Sequence, residues 1–221
     1  MANSLSSTLQ HREFNLVTYD ASSIVGVVLA GGKGSRMNGA DKPLLELGGI
    51  AIIEHVLQRA RSQVEKLVIN VNRNPDLYIR FDLPVLPDCI TGYGGPMVGI
   101  LTAMKWALLH EPTALAIACF PGDVPWFPGD VVEKLSEDLC DIKPEIAWLS
   151  TDGQLQPLFS LWSVSLMSEV ERAINNGMYS PMQFILSRKH RLIEYNNCPP
   201  GSFYNLNCPD DILNAGKLIG R

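Results

Sequence analysis

Residues 24–36 read IVGVVLAGGKGSR, and this stretch decides the fold that the sequence predicts. Residues 24–30 are continuously apolar and rich in β-branched side chains, which is typical of a parallel strand buried on both faces of a sheet. A turn with three glycines and two cations follows at once, in residues 31–36. Glycines at this point let backbone amides approach a ligand and form an anion-binding concavity. The stretch therefore predicts a buried strand that ends at a site suited to a phosphate chain.

The rest of the chain alternates apolar runs with amphipathic stretches, as βαβ units do. The periodicity predicts helices over about 52–64, 98–109, 129–139, 163–175 and 181–189, and a last helix opened by Pro209. Apolar runs predict strands over about 66–71, 84–88, 114–120, 145–150, 158–162, 191–195 and 203–207. The Asp152-Gly153 pair is a hairpin signal, so the parallel sheet is expected to become mixed there. The predicted fold class is a single three-layer α/β domain with a mostly parallel, partly mixed sheet.

Composition and charge exclude several classes of protein. The 221 residues are 46% hydrophobic and 19% charged, which is too apolar for a disordered chain and long enough for a sizeable core. The net charge of −5 would repel polyanions, so we expect no nucleic-acid partner. Five cysteines without a C-x-x-C pair, and no apolar run long enough for a membrane span, predict a cytoplasmic protein. We expect 1–23 to be a disordered extension and 24–221 one domain.

The glycine turn does not match two familiar phosphate-binding motifs. G-x-x-x-x-G-K-[ST] is absent, and the dinucleotide fingerprint fails because Met37 stands where a glycine is needed. Arg36 and Lys42 nevertheless add positive charge close to the turn, and a guanidinium can bind two phosphate oxygens at once. The alternative interpretation is a tight turn with solvated cations. Phosphate binding is the interpretation that we favour.

Polar residues follow the ends of the predicted strands. Asp123 comes just after a buried strand, and Asn70 and Asp88 come at the ends of two others, where open α/β sheets bind ligands. A carboxylate that faces a triphosphate needs a cation between them, and Mg²⁺ is the ion that binds through one or two carboxylates plus phosphates. Asn205 and Asn207 alternate on a predicted strand and so face one side. The alternative for all five residues is a local role, as turn caps or strand-edge hydrogen bonders.

Residues 29–37, LAGGKGSRM, together with Asp41-Lys42, resemble the signature of nucleotidyltransferases that join an NTP to a phosphorylated acceptor. The segment Asn70-Val71-Asn72-Arg73 makes the chain most similar to the MobA-type molybdenum cofactor guanylyltransferases. Pro87-Asp88 and the segments at 95–100, 123–125 and 205–209 appear in the order of that family. The resemblance extends from residue 24 to residue 218 and implies a Rossmann-like nucleotidyltransferase fold.

The resemblance implies a reaction and a set of site residues. GMP would pass from GTP to the terminal phosphate of molybdopterin or molybdenum-molybdopterin, with Mg²⁺ as cofactor and pyrophosphate as product. Lys42, Arg36 and Asp123 would be catalytic, and Asp123 would also bind the metal. The residues implied for GTP binding are Leu29, Ala30, Gly31, Lys42, Asn70, Asp88 and Asp123. Asn205 and Asn207 would lie on the acceptor side.

Three other interpretations stay open at this point. The chain could be a molybdopterin cytidylyltransferase, a sugar- or alcohol-phosphate nucleotidyltransferase, or a catalytically silent nucleotide- or cofactor-binding homologue. Other cofactor-biosynthesis proteins or a molybdoenzyme chaperone are open as protein partners. The chain also departs from the family pattern, with Gly122 where a cysteine is usual and Met178 where a basic residue follows the glycine. Basic residues do lie close by in sequence, at Arg188, Lys189 and Arg191.

Overall fold

The computed structural model describes residues 20–31, 41–92, 95–137, 145–206 and 211–212. The strands are β1 (Ile24–Leu29), β2 (Glu46–Leu47), β3 (Ile50–Ala51), β4 (Lys66–Asn70), β5 (Val85–Leu86), β6 (Ala116–Pro121), β7 (Ile146–Thr151), β8 (Gln154–Ser163) and β9 (His190–Glu194). The helices are α1 (Ile52–Arg61), α2 (Pro96–His110), α3 (Val131–Glu137), α4 (Met167–Asn175) and α5 (Pro181–Leu186). Short 3₁₀ turns cover Lys42–Leu44, Pro75–Phe81 and Val164–Leu166.

The main sheet has the order β5-β4-β1-β6-β8-β7-β9, and β1 lies inside it. β1 pairs in parallel with β4 on one side and with β6 on the other, and β4 pairs in parallel with β5. β8 is antiparallel to both β6 and β7, whereas β9 is parallel to β7. The prediction of a mostly parallel sheet that becomes mixed is confirmed. Asp152 and Gly153 both have positive φ angles, as the predicted hairpin turn requires.

The sheet is covered on both faces, and the side chains of β1 show why. Ile24 and Val28 pack on one face with α1 and α3, and Val25 and Val27 pack on the other face with α2, α4 and α5. All four side chains are 1% exposed or less. An apolar run without polar alternation is what a strand between two helical layers needs. The three-layer α/β architecture is therefore confirmed.

The end of α1 shows the limit of apolar periodicity. The pattern predicted a helix to Val64, but α1 ends at Arg61, and Val64 enters the core after the helix has ended. The buried Gln63 side chain accepts a hydrogen bond from the Val132 amide at 3.0 Å and donates to the Pro128 carbonyl at 3.1 Å. These two bonds attach the end of α1 to the start of α3.

The segment 203–207 differs from its prediction. Residues 203–206 form a turn and an irregular stretch, not a strand, and Phe203 has a φ angle of 60°. The segment instead runs beside residues 123–126, because Phe203 donates to the Trp126 carbonyl and Leu206 donates to the Asp123 carbonyl. The predicted helix after Pro209 lies almost wholly outside the described residues.

The start of the chain also lies outside the described residues, up to residue 19, so the disordered extension and the single-domain boundary stay predictions. Residues 20–23 form a turn before β1, and the Ser23 carbonyl accepts hydrogen bonds from the amides of Leu115 and Ala116. Within the described part of the chain, no helix has the length and apolar character to cross a membrane.

Candidate active site

The carboxyl ends of β4, β1 and β6 meet at one edge of the sheet, as they do wherever strands run in parallel. The backbone ladder continues just beyond β1, since Ala30 donates to the Asn70 carbonyl at 2.9 Å and Gly122 donates to the Leu29 carbonyl at 3.0 Å. Leu29, Ala30 and Gly31 therefore lie between residues that follow β4 and residues that follow β6. Predicted site residues occur on both sides of them.

On the β4 side, three side chains form an amide cluster, which consists of Asn70, Asn72 and Asp88. The Asn70 amide group donates to Asp88 Oδ1 at 3.0 Å, and the Asn72 amide group donates to Asp88 Oδ2 at 2.6 Å. The Asp88 backbone amide donates in return to Asn72 Oδ1 at 2.8 Å. Both carboxylate oxygens are thus held, although a carboxylate has about four acceptor positions, so capacity remains for a ligand.

Helix α2 makes room for this cluster through Gly99. A Cβ at Gly99 would lie 2.3 Å from Asn70 Oδ1 and 2.8 Å from Leu29 Cδ2, which is closer than non-bonded atoms can approach. Asn70 is only 3% exposed and is further held by a bond to the Leu86 carbonyl. Gly99 lies inside α2, within the helix that the sequence predicts at about 98–109. Its role is to let Asn70 lie directly against the helix.

On the β6 side, Lys42, Asp123 and Asn205 form a lysine cluster. Lys42 Nζ donates to Asp123 Oδ2 at 2.8 Å and to Asn205 Oδ1 at 3.2 Å. The side chains of Lys42 and Asp123 are 15% and 29% exposed, so the pair is shielded from bulk water but still accessible to a ligand. The three residues come from distant parts of the chain, and the structure brings them together.

Local backbone bonds hold each member of the lysine cluster. Lys42 opens the 3₁₀ turn before Pro43, and the Lys42 carbonyl accepts a bond from the Leu45 amide. Asp123 and Asn205 are aligned by the bond from the Leu206 amide to the Asp123 carbonyl, at 3.1 Å.

A buried tyrosine supports the segment that carries Lys42. Tyr78 has no exposed surface, and its hydroxyl donates to Asp41 Oδ1 at 2.9 Å. Burial raises the pKa of the Tyr78 hydroxyl, and the charge of Asp41 raises this pKa further, so the hydroxyl keeps the proton that it donates. Sequence reasoning missed both this pair and Asn72. Asn72 could have been found from its spacing to Asn70, whereas a tyrosine in a 3₁₀ turn leaves no such signal.

The oxygen atoms around Lys42 define where a cation could bind. Asp123 Oδ2 and Asn205 Oδ1 both converge on the Lys42 ammonium, which itself acts as the cation there. Carboxylate and amide oxygens are hard donors that suit Mg²⁺ or a similar ion when phosphates supply the other ligands. Within the described residues, no group of three or more His, Cys, Asp or Glu side chains forms a closed metal cage. The residues present therefore fit an ion shared with a substrate.

The remaining predicted residues fall into three groups. Arg36 and Asn207 lie outside the described residues. The Gly177 loop lies close to the start of α2, since a Cβ at Gly95 would be 3.5 Å from the Tyr179 carbonyl oxygen. Arg188, Lys189 and Arg191 do not reach the site, because they lie at the amino end of β9, where His190 pairs with Ile146 at the start of β7 and away from β4, β1 and β6. Arg188 lies there between Glu145 and Glu169, at 3.8 and 3.9 Å.

The fold and the family comparison together define the class of this protein as an α/β nucleotidyltransferase. The profile described as "MobA-like NTP transferase domain" matches residues 26–192, more than half of the chain. The chain belongs to this family. A curated relative from Mesorhizobium japonicum, named molybdenum cofactor guanylyltransferase, is 34% identical over 200 residues, which cover 89% of this chain and 96% of the relative.

Solved structures agree with this assignment of the fold. Molybdopterin-guanine dinucleotide biosynthesis protein A from Archaeoglobus fulgidus superposes with a TM-score of 0.71 at 24% identity, over 89% of this chain and 98% of that one. A Mycobacterium tuberculosis protein solved in complex with manganese superposes with a TM-score of 0.62 at 19% identity, over 90% of this chain and 100% of that one. The predicted Rossmann-like nucleotidyltransferase fold is confirmed.

Proposed function

We propose that this chain is a molybdenum cofactor guanylyltransferase that transfers GMP from GTP to the terminal phosphate of molybdopterin or molybdenum-molybdopterin. The observation that carries the proposal is the meeting of Lys42, Asp123 and Asn205 beside the end of β1, with the amide cluster on the other side. The name and full-length similarity of the Mesorhizobium relative support the choice of substrates.

GTP lies across the end of β1 in this proposal, with its base towards the amide cluster and its phosphates towards the lysine cluster. Asp88 supplies the acceptor that the N1–H and amino group of guanine need, and Asn70 holds Asp88 in place. The backbone of Leu29, Ala30 and Gly31 lies between the two clusters and contacts the nucleoside and its first phosphate. Arg36 binds the phosphates, and Asn205 and Asn207 lie on the acceptor side.

The reaction needs positioning and charge neutralisation, and no covalent bond to the enzyme. An oxygen of the terminal phosphate of molybdopterin forms a bond to the α-phosphorus of GTP while the bond from that phosphorus to the β-phosphate oxygen breaks. Pyrophosphate leaves with the electron pair of the broken bond. Lys42 provides a fixed positive charge where negative charge builds up on the phosphates, which is worth more in a shielded site than in water.

A divalent cation completes the charge balance in this proposal, and Asp123 with Asn205 would hold it. When bound, such an ion would neutralise part of the negative charge of the triphosphate. Mg²⁺ is our choice because the donors are hard oxygens, and the manganese complex of the Mycobacterium tuberculosis protein is consistent with a divalent site in this fold. Lys42 must then exchange its bond to Asp123 for bonds to phosphate oxygens.

Thermal melting with each of the four NTPs, with and without Mg²⁺, tests the proposal most directly. A ligand that binds only the folded protein raises the melting temperature by mass action. We expect a rise that is selective for GTP and larger with Mg²⁺. Selectivity for CTP would indicate a molybdopterin cytidylyltransferase instead. Pyrophosphate release from GTP and molybdopterin then distinguishes an enzyme from a silent homologue.

Asp88→Ala is expected to weaken GTP selectivity. Loss of a charged hydrogen-bond partner costs about 2 kcal/mol, or roughly 30-fold in the KM for GTP. The KM for other NTPs should change much less, and kcat should fall less than KM rises, because the lysine cluster is intact. Steady-state rates with all four NTPs measure this. Equal losses with every nucleotide would show that Asp88 does not read the base.

A further inference from the structure

The Tyr78–Asp41 pair lies beside the lysine cluster and takes no direct part in the proposed reaction. Tyr78 belongs to the 3₁₀ turn at Pro75–Phe81, and Asp41 is the residue before Lys42. Their side chains are joined by the bond of 2.9 Å from the tyrosine hydroxyl, across 37 residues of sequence. A fully buried hydroxyl that is hydrogen-bonded to the residue next to a functional lysine can control the position of that lysine.

The carboxylate of Asp41 depends on this tyrosine. Its other oxygen, Oδ2, is buried and has no hydrogen-bond partner within the described residues. A buried carboxylate oxygen without a donor is costly, so the hydroxyl of Tyr78 supplies the bond that keeps this side chain inside the protein. Loss of that hydroxyl would leave both oxygens without a donor among the described residues and would favour movement of Asp41 towards water.

Movement of Asp41 would be transmitted to Lys42 through the backbone. The Asp41 carbonyl accepts a bond from the Leu44 amide at 2.9 Å and so closes the turn that begins at Lys42. Pro43 fixes its own φ angle within that turn, which leaves little freedom between Asp41 and the rest of the turn at Lys42–Leu44. A displaced Asp41 would therefore carry the Lys42 Cα with it and lengthen the contact from Nζ to Asp123.

We propose that Tyr78 is a positioning residue, which acts through Asp41 to hold the Lys42 ammonium at the phosphates. The inference rests on the proposed role of Lys42 in guanylyl transfer. The same stretch of chain carries Asn70 and Asn72 at one end and Tyr78 at the other. This stretch therefore connects the amide cluster, which would read the base, to the segment that carries Lys42.

Tyr78→Phe tests this inference, because it removes the hydroxyl and keeps the buried ring. We expect kcat to fall roughly 10- to 100-fold, as for a small misplacement of a reacting group, with the KM for GTP nearly unchanged. Tyr195→Phe is the control, since the Tyr195 hydroxyl donates to Asp130, which belongs to neither cluster, and the ring that packs against Phe203 is kept. Tyr195 is only partly buried, so Tyr195→Phe should lower the melting temperature less than Tyr78→Phe does and should leave kcat unchanged.

A double-mutant cycle with Lys42→Ala separates positioning from general structural support. Lys42→Ala alone should lower the single-turnover rate with α-labelled GTP by roughly 10²- to 10³-fold. In that background, Tyr78→Phe should change the remaining rate by less than about twofold, because its effect passes through Lys42.

Three results would overturn the inference. Full turnover in Lys42→Ala would contradict the proposed role of the lysine, and the role of Tyr78 would fall with it. A defect in Lys42→Ala together with normal turnover in Tyr78→Phe would contradict the tyrosine role alone. The same loss from Tyr78→Phe with and without Lys42 would show that the hydroxyl acts independently of the lysine.

Discussion

Turnover is expected to fall by roughly 10³-fold in Asp123→Asn, while GTP binding weakens far less. The asparagine keeps an oxygen that can accept from Lys42, but it removes the negative charge that balances the ammonium at 2.8 Å. It also removes the one carboxylate of the lysine cluster, and with it the group proposed to hold a divalent cation. Single-turnover rates and melting with GTP, each across a range of Mg²⁺ concentrations, measure the two effects separately.

Asp130→Asn provides the control for Asp123→Asn. Asp130 also accepts a hydrogen bond through its carboxylate, from Tyr195, and lies outside both clusters. The Asp130→Asn variant should turn over GTP at the native rate. The pair Lys42–Asp123 is partly exposed, so Asp123→Asn should cost no more than about 1 kcal/mol in the free energy of unfolding. Native turnover in Asp123→Asn at every Mg²⁺ concentration would refute the proposed metal role.

Gly99→Ala is expected to disrupt the base side of the site and the fold around it. The new Cβ would lie 2.3 Å from Asn70 Oδ1, so the asparagine must move and give up its bonds to Leu86 and Asp88. Overpacking of this kind costs about 1–3 kcal/mol, which equals or exceeds the gain of about 1 kcal/mol from alanine in a helix. A displaced amide cluster would lose the charged hydrogen bond that Asp88 would make to the base, about 2 kcal/mol, so GTP binding should weaken by roughly 30-fold.

The matched control for this substitution is Gly129→Ala. A Cβ at Gly129 meets nothing within 4 Å, so the same added methyl group should leave both stability and GTP binding unchanged. Melting curves with and without GTP measure both quantities on the two variants. If Gly99→Ala bound GTP as tightly as the native protein, the amide cluster would not form the base site.

The strands and helices could be predicted because their apolar periods are long and regular. The loops that carry the candidate site have no such period, so their conformation could not be predicted. β1 was recognised from one apolar run, and its neighbours from the same pattern. Residues 204–207 alternate apolar and polar side chains like a strand, but the positive φ of Phe203 and bonds to residues 123–126 make residues 203–206 a loop. Alternation alone cannot distinguish a strand from a loop that lies along another loop.

The residues of the candidate site also divide into those that the sequence indicates and those that it does not. Asn70, Asp88 and Asp123 could be proposed as site residues because each lies at or just after the end of a strand, and topology alone brings these strand ends together. Asn72 and Tyr78 were missed because their importance lies in the partners that they hold, Asp88 and Asp41. Partners so far apart in sequence are identified only when the packing between elements is known.

The two clusters differ in how much of the chain must be synthesised before they can form. The hydrogen bonds of the amide cluster span 16 to 18 residues, whereas those of the lysine cluster span 81 and 163 residues. Contacts at long sequence separation form late, since more chain entropy is lost in closing them. A nascent or truncated chain that ends before Asn205 can assemble the base side but not the complete lysine cluster. Under the proposed function, guanylyl transfer therefore requires a chain whose carboxyl-terminal part has been made and folded.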